Sequence, residues 1–383
     1  MHSGSFPSGR IAATLLVFGL LAVSIQPVAA AGVKDGTAVA IPLKRLAELH
    51  DNMAVTSVAW SADGRFIATS SAQDNRIHIW DVAARRIAHE FKSSSSAIPM
   101  HELSWSPDSK WLVACDGLDN RVLVINTTMW DPPRVLNNDP GGCELTAFSG
   151  DSSQLAIGGR IITTYSTSDW RVLTKVDLRA NQWSRGKLIN ALTYIPRTHN
   201  ILLGGAEIAP VEYNTARATD REYVGYVWMF APGDTRPSGR FQAYFPSDSS
   251  QSGVVTQLAA NPNGREIATG TNTGTGHTNY LVSDSVHILS LNDGAIVASP
   301  LDGKGYSEQS GLAYTPDGHF LIVGHGSVRV DHIVQVLETE TYKVVGTARV
   351  TDTIYDVAVD PTSRLFAVSA GGAVTIWELP SHS

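Results

Sequence analysis

From residue 55 onward the chain alternates apolar and polar residues in short runs broken by turns. VTSVAWSADGRFIATSS (55–71) alternates, turns at Asp63-Gly64 and alternates again. The same sentence is repeated at 101–117 (HELSWSPDSKWLVACDG), 144–159, 190–205, 256–271, 310–325 and 355–370. Alternation with a period of two buries one face of a strand, and Pro, Asp, Asn, Ser and Gly supply the backbone angles of the turn between, so each segment predicts a β-hairpin. A third strand follows each hairpin, among them RIHIWDV, RVLVINT, YVWMFAP and AVTIWEL, and a fourth follows most, as in RRIAHEF and KVVGTARV. Helical periodicity is absent from this pattern.

Four strands recurring roughly every 43–66 residues, seven times over, predict an all-β, seven-bladed β-propeller of four-stranded antiparallel blades. The blades are expected to start near residues 55, 101, 144, 190, 255, 310 and 355, within a domain spanning 41–383. The seventh blade, ending at VTIWELPSHS, lacks a fourth strand. An open sheet edge would invite aggregation, and LKRLAELH (43–50) stands before the first hairpin with none of its own. A strand at about 41–50 is therefore expected to complete the last blade and close the ring.

The N-terminus reads differently. Arg10 ends a short region with no acidic residue, IAATLLVFGLLAVSI follows, and Val28-Ala29-Ala30 places small residues at a cleavage position. This predicts a cleavable signal peptide over 1–30 and a linker over 31–40, with export to the periplasm or beyond the cell and no membrane span after cleavage. The apolar run is shorter than the roughly 20 residues of a spanning helix. Cys115 and Cys143 close the second strand of blade two and open the first strand of blade three; they read either as a disulfide or as two small buried apolar residues.

The chain of 383 residues carries a net charge of −7, which argues against nucleic acid as a partner. It holds no nucleophile elbow, phosphate loop, paired-cysteine metal motif or EF-hand loop, so no catalytic residue, metal site or cofactor is assigned.

VAWSADGRFIATSS…DNRIHIWD and LSWSPDSKWLVACDG…DNRVLVIN resemble the WD-repeat propellers, and the first carries Trp80-Asp81, the pair that names that family. The resemblance covers nearly all of 41–380 in architecture, is of the exported bacterial type, and extends to the neighbouring lactonase-like propellers. It implies that His50, Ser70, Asp74 and Trp80 form a buried hydrogen-bonded structural set in blade one. Blade two keeps Asp119 but has Ile125 for the Trp; blade seven keeps Trp377 but has Gly371 for the Asp.

Turns between the first two strands are short and uniform, whereas the links from second to third strand and from blade to blade are long in blades four to six. Both of these long classes fall on one face. Long loops on a rigid scaffold commonly carry binding, and aromatic and Arg side chains anchor protein interfaces. Trp183, Arg185, Tyr213, Arg221, His277, Tyr280 and His325 are the candidate binding residues there. The expected role is a non-catalytic platform for a protein partner; the alternative is a small-ligand-binding or hydrolytic propeller, resembling the lactonase-like type, with its site at the mouth of the central channel.

Overall fold

The computed structural model describes residues 40–51, 53–71, 75–92, 100–116, 121–137, 142–178, 187–208, 223–243, 251–275, 278–281, 285–301, 309–327 and 330–381. The segment expected to be a signal peptide, 1–30, and 31–39 of the expected linker lie outside these residues.

The chain opens with β1 (Ile41–Pro42) and β2 (Arg45–His50). Blade one follows as β3 (Val55–Trp60), β4 (Phe66–Ser71), β5 (Arg76–Asp81) and β6 (Arg86–Lys92). Blade two is β7 (Met100–Trp105), β8 (Trp111–Asp116), β9 (Arg121–Asn126) and β10 (Arg134–Asn137), and blade three is β11 (Leu145–Phe148), β12 (Gln154–Gly158), β13 (Ile161–Ser166) and β14 (Val172–Asp177). Blade four is β15 (Lys187–Tyr194), β16 (Ile201–Ile208), β17 (Tyr223–Phe230) and β18 (Gly239–Gln242). Blade five is β19 (Gln251–Ala260), β20 (Glu266–Thr275), the short β21 (Thr278–Leu281), β22 (Ser285–Ser290) and β23 (Ile296–Ala298). Blade six is β24 (Gln309–Tyr314), β25 (Phe320–Ser327), β26 (Val330–Glu338) and β27 (Val344–Arg349), and blade seven is β28 (Ile354–Val359), β29 (Leu365–Ala370) and β30 (Ala373–Glu378). Each blade is an antiparallel meander in sequence order, and the fold is the all-β, seven-bladed propeller that the repeats predict.

The fourth strand of blade seven is β2, paired antiparallel to β30 from Arg45↔Trp377 to His50↔Ala373. Leu49 of β2 is 2% exposed and packs with Val55, Trp60, Val374 and Ile376, so it ties the first blade to the last. The stretch just before it does something the alternation does not announce. β1 adds a parallel fifth strand to blade six, with Ile41↔Gly346 and Pro42↔Thr347. The N-terminal segment thus touches both blades six and seven before the first hairpin begins.

The turns between first and second strands repeat one piece of chemistry. Ser61 Oγ donates to Asp63 Oδ1 at 2.6 Å and accepts from the Phe66 amide at 2.9 Å. Ser106 with Asp108, Ser149 with Asp151 and Thr315 with Asp317 repeat the hydroxyl–carboxylate pair. Short polar side chains that bond their own backbone are what turns select. Two of these turns also clasp a neighbour: Ser152 Oγ of blade three accepts from the Asp108 amide of blade two, and Ser363 Oγ of blade seven accepts from the Asp317 amide of blade six.

At the axis the innermost strand of each blade is a sheet edge, whose outward amides need acceptors. A β-bulge interrupts β3 between Val55 and Ser57, and β28 between Ile354 and Asp356. The residue after each bulge reaches the next blade. Asp356 Oδ2 accepts from the Val58 amide at 3.0 Å and from Ser57 Oγ at 3.1 Å; Ser57 Oγ in turn accepts from the Leu103 amide at 3.2 Å. One chain of hydrogen bonds therefore spans blades seven, one and two, across the seam where the ring closes. Burial lifts the Asp356 carboxyl to about 6, against the pull of its N–H and O–H donors. Glu102, the blade-two residue preceding Leu103, is raised well above the ordinary carboxylate range by burial and by Asp356.

Two outcomes follow from this closure. Leu49→Ala should cost about 2–5 kcal/mol in a denaturant melt, as deep large-to-small changes do, while Ile87→Ala, on a side chain 39% exposed, should cost far less. For Asp356, the folded protein holds its proton more tightly than the unfolded chain. Its contribution is complete below the ordinary value of 3.8 and is lost as the pH rises through about 6. Melting temperatures recorded from about pH 4 to pH 7 should show the wild type losing stability relative to Asp356→Asn as the pH rises; parallel curves would refute the linkage.

Candidate functional site

In an antiparallel meander the links from second to third strand and those between blades emerge at the same end of every blade. In blade one the four strands are six or seven residues long. In blade four β15, β16 and β17 each have eight residues, in blade five β19 and β20 each have ten, and in blade six β25 and β26 have eight and nine. Matching the turns at the opposite end shows that all of the extra length lies toward the long links. At roughly 3.3 Å per residue, two to four more residues raise this sector by ~7–13 Å. Blades four to six therefore form a wall on one face, and β21 pairs with the far end of β20 to thicken it.

The base of this wall is braced by charge. Lys187 and Glu207 stand opposite each other across β15 and β16 and form an ion pair. Glu207 Oε2 also accepts from Arg240 Nη2 at 2.9 Å, and the Arg240 guanidinium lies 3.9 Å from the centre of the Tyr226 ring. Lys187 Nζ sits over Trp228 at 5.6 Å. One half-buried carboxylate thus joins two cations, each resting on an aromatic ring; such stacking orders long side chains that would otherwise be free. Glu207, Tyr226 and Arg240 did not stand out in the linear sequence. Their signal, a Lys and a Glu in cross-strand register, becomes legible only once the pairing of β15 with β16 is known.

Of the candidate binding residues, Trp183, Arg185, Tyr213, Arg221 and His277 lie outside the described residues. Tyr280 falls in β21, beside the extended β20. His325 is placed differently from the expectation. The sequence places it in a surface link, but β25 continues to Ser327 and is buried on both faces, so this side chain is 0% exposed and its Nε2 lies 3.0 Å from Gln335 Oε1. It is a core histidine of blade six.

The buried polar set of blade one also differs in membership. Trp80 Nε1 donates to Thr69 Oγ1 at 3.0 Å, Thr69 Oγ1 lies 3.5 Å from Asp51 Oδ2, and His78 Nδ1 lies 2.8 Å from the same carboxylate oxygen. Asp51, Thr69, His78 and Trp80 form the network. Among the described residues, Trp80 is the one it shares with the expected set. Ser70 is buried beside it, Asp74 lies outside the described residues, and His50 closes β2 with its side chain 76% exposed. The pairing of β2 with β30 decides this: its register sends Leu49 inward and His50 outward. Blade seven keeps a shorter version, with Trp377 Nε1 donating to Thr375 Oγ1 at 2.8 Å. These are buried polar groups paired with one another.

Cys115 and Cys143 are joined as a disulfide across 28 residues, with Cα atoms 5.3 Å apart, linking blade two to the entry of blade three. Among the described residues no three or more His, Cys, Asp or Glu side chains converge as metal ligands would, and no helix is long and apolar enough to cross a membrane.

Residues 43–81 and 86–126 match the family model described as WD domain, G-beta repeat. These spans run from the closing strand through the third strand of blade one, and from the outer strand of blade one through the third strand of blade two. Over 147 residues the chain is 28% identical to a WD repeat-containing protein WDS homolog of Arabidopsis thaliana, a match covering 36% of this chain and 25% of that protein. The chain thus spans about a quarter of the length of the curated relative it matches. Family match and blade geometry are consistent: the chain folds as a seven-bladed propeller, and residues 43–81 and 86–126 are similar to WD repeats.

Proposed function

We propose that this protein is an exported, non-catalytic interaction platform that engages a protein partner through the wall of blades four to six. Propellers with WD repeats typically serve as protein-interaction scaffolds. The observation that carries the choice of surface is the one-sided elongation of β15–β17, β19, β20, β25 and β26, all toward the face of the long links. A fold that needs only six residues per strand to close its blades extends just these, and it braces their base with the Lys187–Glu207–Arg240 set. The long stretches 206–225 and 271–284 carry Tyr213, Arg221 and His277, the residue types that anchor interfaces. The Cys115–Cys143 disulfide supports an oxidising compartment, in keeping with the apolar leader at the N-terminus.

Two measurements test this reading. The protein isolated from its native cell envelope should retain one dominant protein partner, and a variant with 209–222 and 272–283 replaced by short turns should lose it while melting as a folded propeller. Retention by the trimmed variant, or a bound small molecule in place of a protein, would overturn the reading. For the compartment, unreduced and denatured protein should show no free thiol, and reduction should lower stability by about 3–4 kcal/mol, the chain-entropy value for a loop of this length.

A further inference from the structure

The turn between the third and fourth strands contains one left-handed residue, and its side chain points back over the preceding blade. In blade two that residue is Trp130, in blade three Trp170 and in blade six Tyr342, with φ of 56°, 61° and 52°. Trp130 fills the outer groove between blades one and two, against Phe66 at 5.4 Å and stacked on His89 at 4.0 Å. Trp170 meets Trp111 edge to face at 5.0 Å between blades two and three. Tyr342 Oη donates to Glu266 Oε2 at 2.8 Å between blades five and six. Phe66, Trp111 and Glu266 hold equivalent places, each opening the second strand of its blade.

The remaining junctions find other fillings, with one exception. Arg85 of blade one reaches the Leu46 carbonyl of β2 in blade seven. Leu43 lies over Gly346 and packs on the core of blades six and seven. Between blades four and five the left-handed residue is Gly294, and a Cβ there would stand 2.5 Å from Phe241, whose ring has taken the space. Between blades three and four no described side chain takes it. The turn of blade four is longer, its left-handed residue is Gly233 (φ 84°), and a Cβ on Gly233 would meet no atom within 4 Å. What remains is a cavity of about 320 Å³. Its floor and walls are Ile162, Thr174, Val176, Ile201, Leu203 and Phe230, and Gln154 lies at the equivalent of Phe66, Trp111 and Glu266. Thr174 and Val176 stand where blade one has His89 and Phe91 around Trp130.

We propose that this cavity is a docking pocket for a tyrosine or tryptophan side chain carried by a partner polypeptide. At three equivalent junctions the same frame holds an aromatic ring delivered by a chain turn. The cavity lies at the small end of the roughly 300–1,000 Å³ range of ligand sites, which suits one side chain rather than a cofactor. Gln154 Oε1, 3.5 Å from the Tyr194 hydroxyl, offers the acceptor that Glu266 offers to Tyr342, so a ring bearing an O–H or N–H is preferred over a plain apolar group. The pocket opens beside the turns of the face opposite the wall. It extends the platform reading to a second surface and does not use the loops of blades four to six.

The test is a titration of the intact protein, with labelled methyl groups observed by NMR. The probes are N-acetyl-tryptophanamide, N-acetyl-tyrosinamide, N-acetyl-leucinamide and free indole. The two aromatic amides should shift the methyls of Ile162, Val176, Ile201 and Leu203 saturably, and about fivefold more tightly than the leucine amide. Gln154→Leu should weaken the tyrosine amide by about fivefold, the worth of one net hydrogen bond. Absence of saturable shifts, equal affinity for the leucine amide, or an unchanged Gln154→Leu variant would overturn the proposal. Binding of indole without binding of the amides would overturn it in favour of a free aromatic ligand. Because the titration is made with the wall loops intact and reads methyls on the other side of the ring, its failure leaves the partner experiment above unaffected.

Discussion

A ring of sheets is held by its seam. Each blade buries its faces against two neighbours, so opening one junction uncovers apolar surface on both sides of it, and that surface is the main stabilising term of the fold. Here the seam is made three times over. β2 supplies the outer strand of a blade whose other three strands lie more than three hundred residues further on. Leu49 joins the apolar clusters on both sides of the junction. At the axis, Asp356, Ser57 and the Leu103 amide run hydrogen bonds through blades seven, one and two. The carboxylate is a costly group to place there, which is why its proton is held so firmly; what it gains is an acceptor for an inner-edge amide that no neighbouring strand can pair.

With the ring closed, each junction repeats one geometry but not one set of side chains. Tryptophan, tyrosine, arginine, leucine and phenylalanine all serve to fill the outer groove, from different positions in the blade. Such tolerance is what close packing allows when volume is conserved across a boundary rather than within a residue. It also explains why WD repeats are recognisable by sequence over 43–126, while later blades keep the turns and strands with other residues. Departures from the repeat are what distinguish one part of the ring from another. The extended strands of blades four to six and the unfilled groove between blades three and four are two such departures, on opposite faces.

The candidate site was legible in outline. Long links in blades four to six mark the raised face, because strand-forming residues and turn residues differ in kind and their spacing counts out the links. Individual roles were less legible. His325 sits between two glycines and reads as a loop, yet β25 runs on past it, covered on both faces by its neighbours. His50 and Asp51 are adjacent, and a shift of one residue exchanges exposed for buried; β30, far away in sequence, makes that choice. β1 is two residues long and pairs in parallel, an arrangement with no local signature.

The sequence by itself determined the strand count, the seven-fold repeat, the turn chemistry and the need for an N-terminal strand in the last blade. All of these depend on local alternation and on backbone preferences that neighbouring residues set. The tertiary structure decided which polar residues pair, which cysteines meet, and which groove stays open. Those depend on register between distant strands and on the volume left where two blades face each other. An empty space has no residues of its own, so no reading along the chain could find the cavity beside Gly233; it exists only in the difference between one junction and the rest.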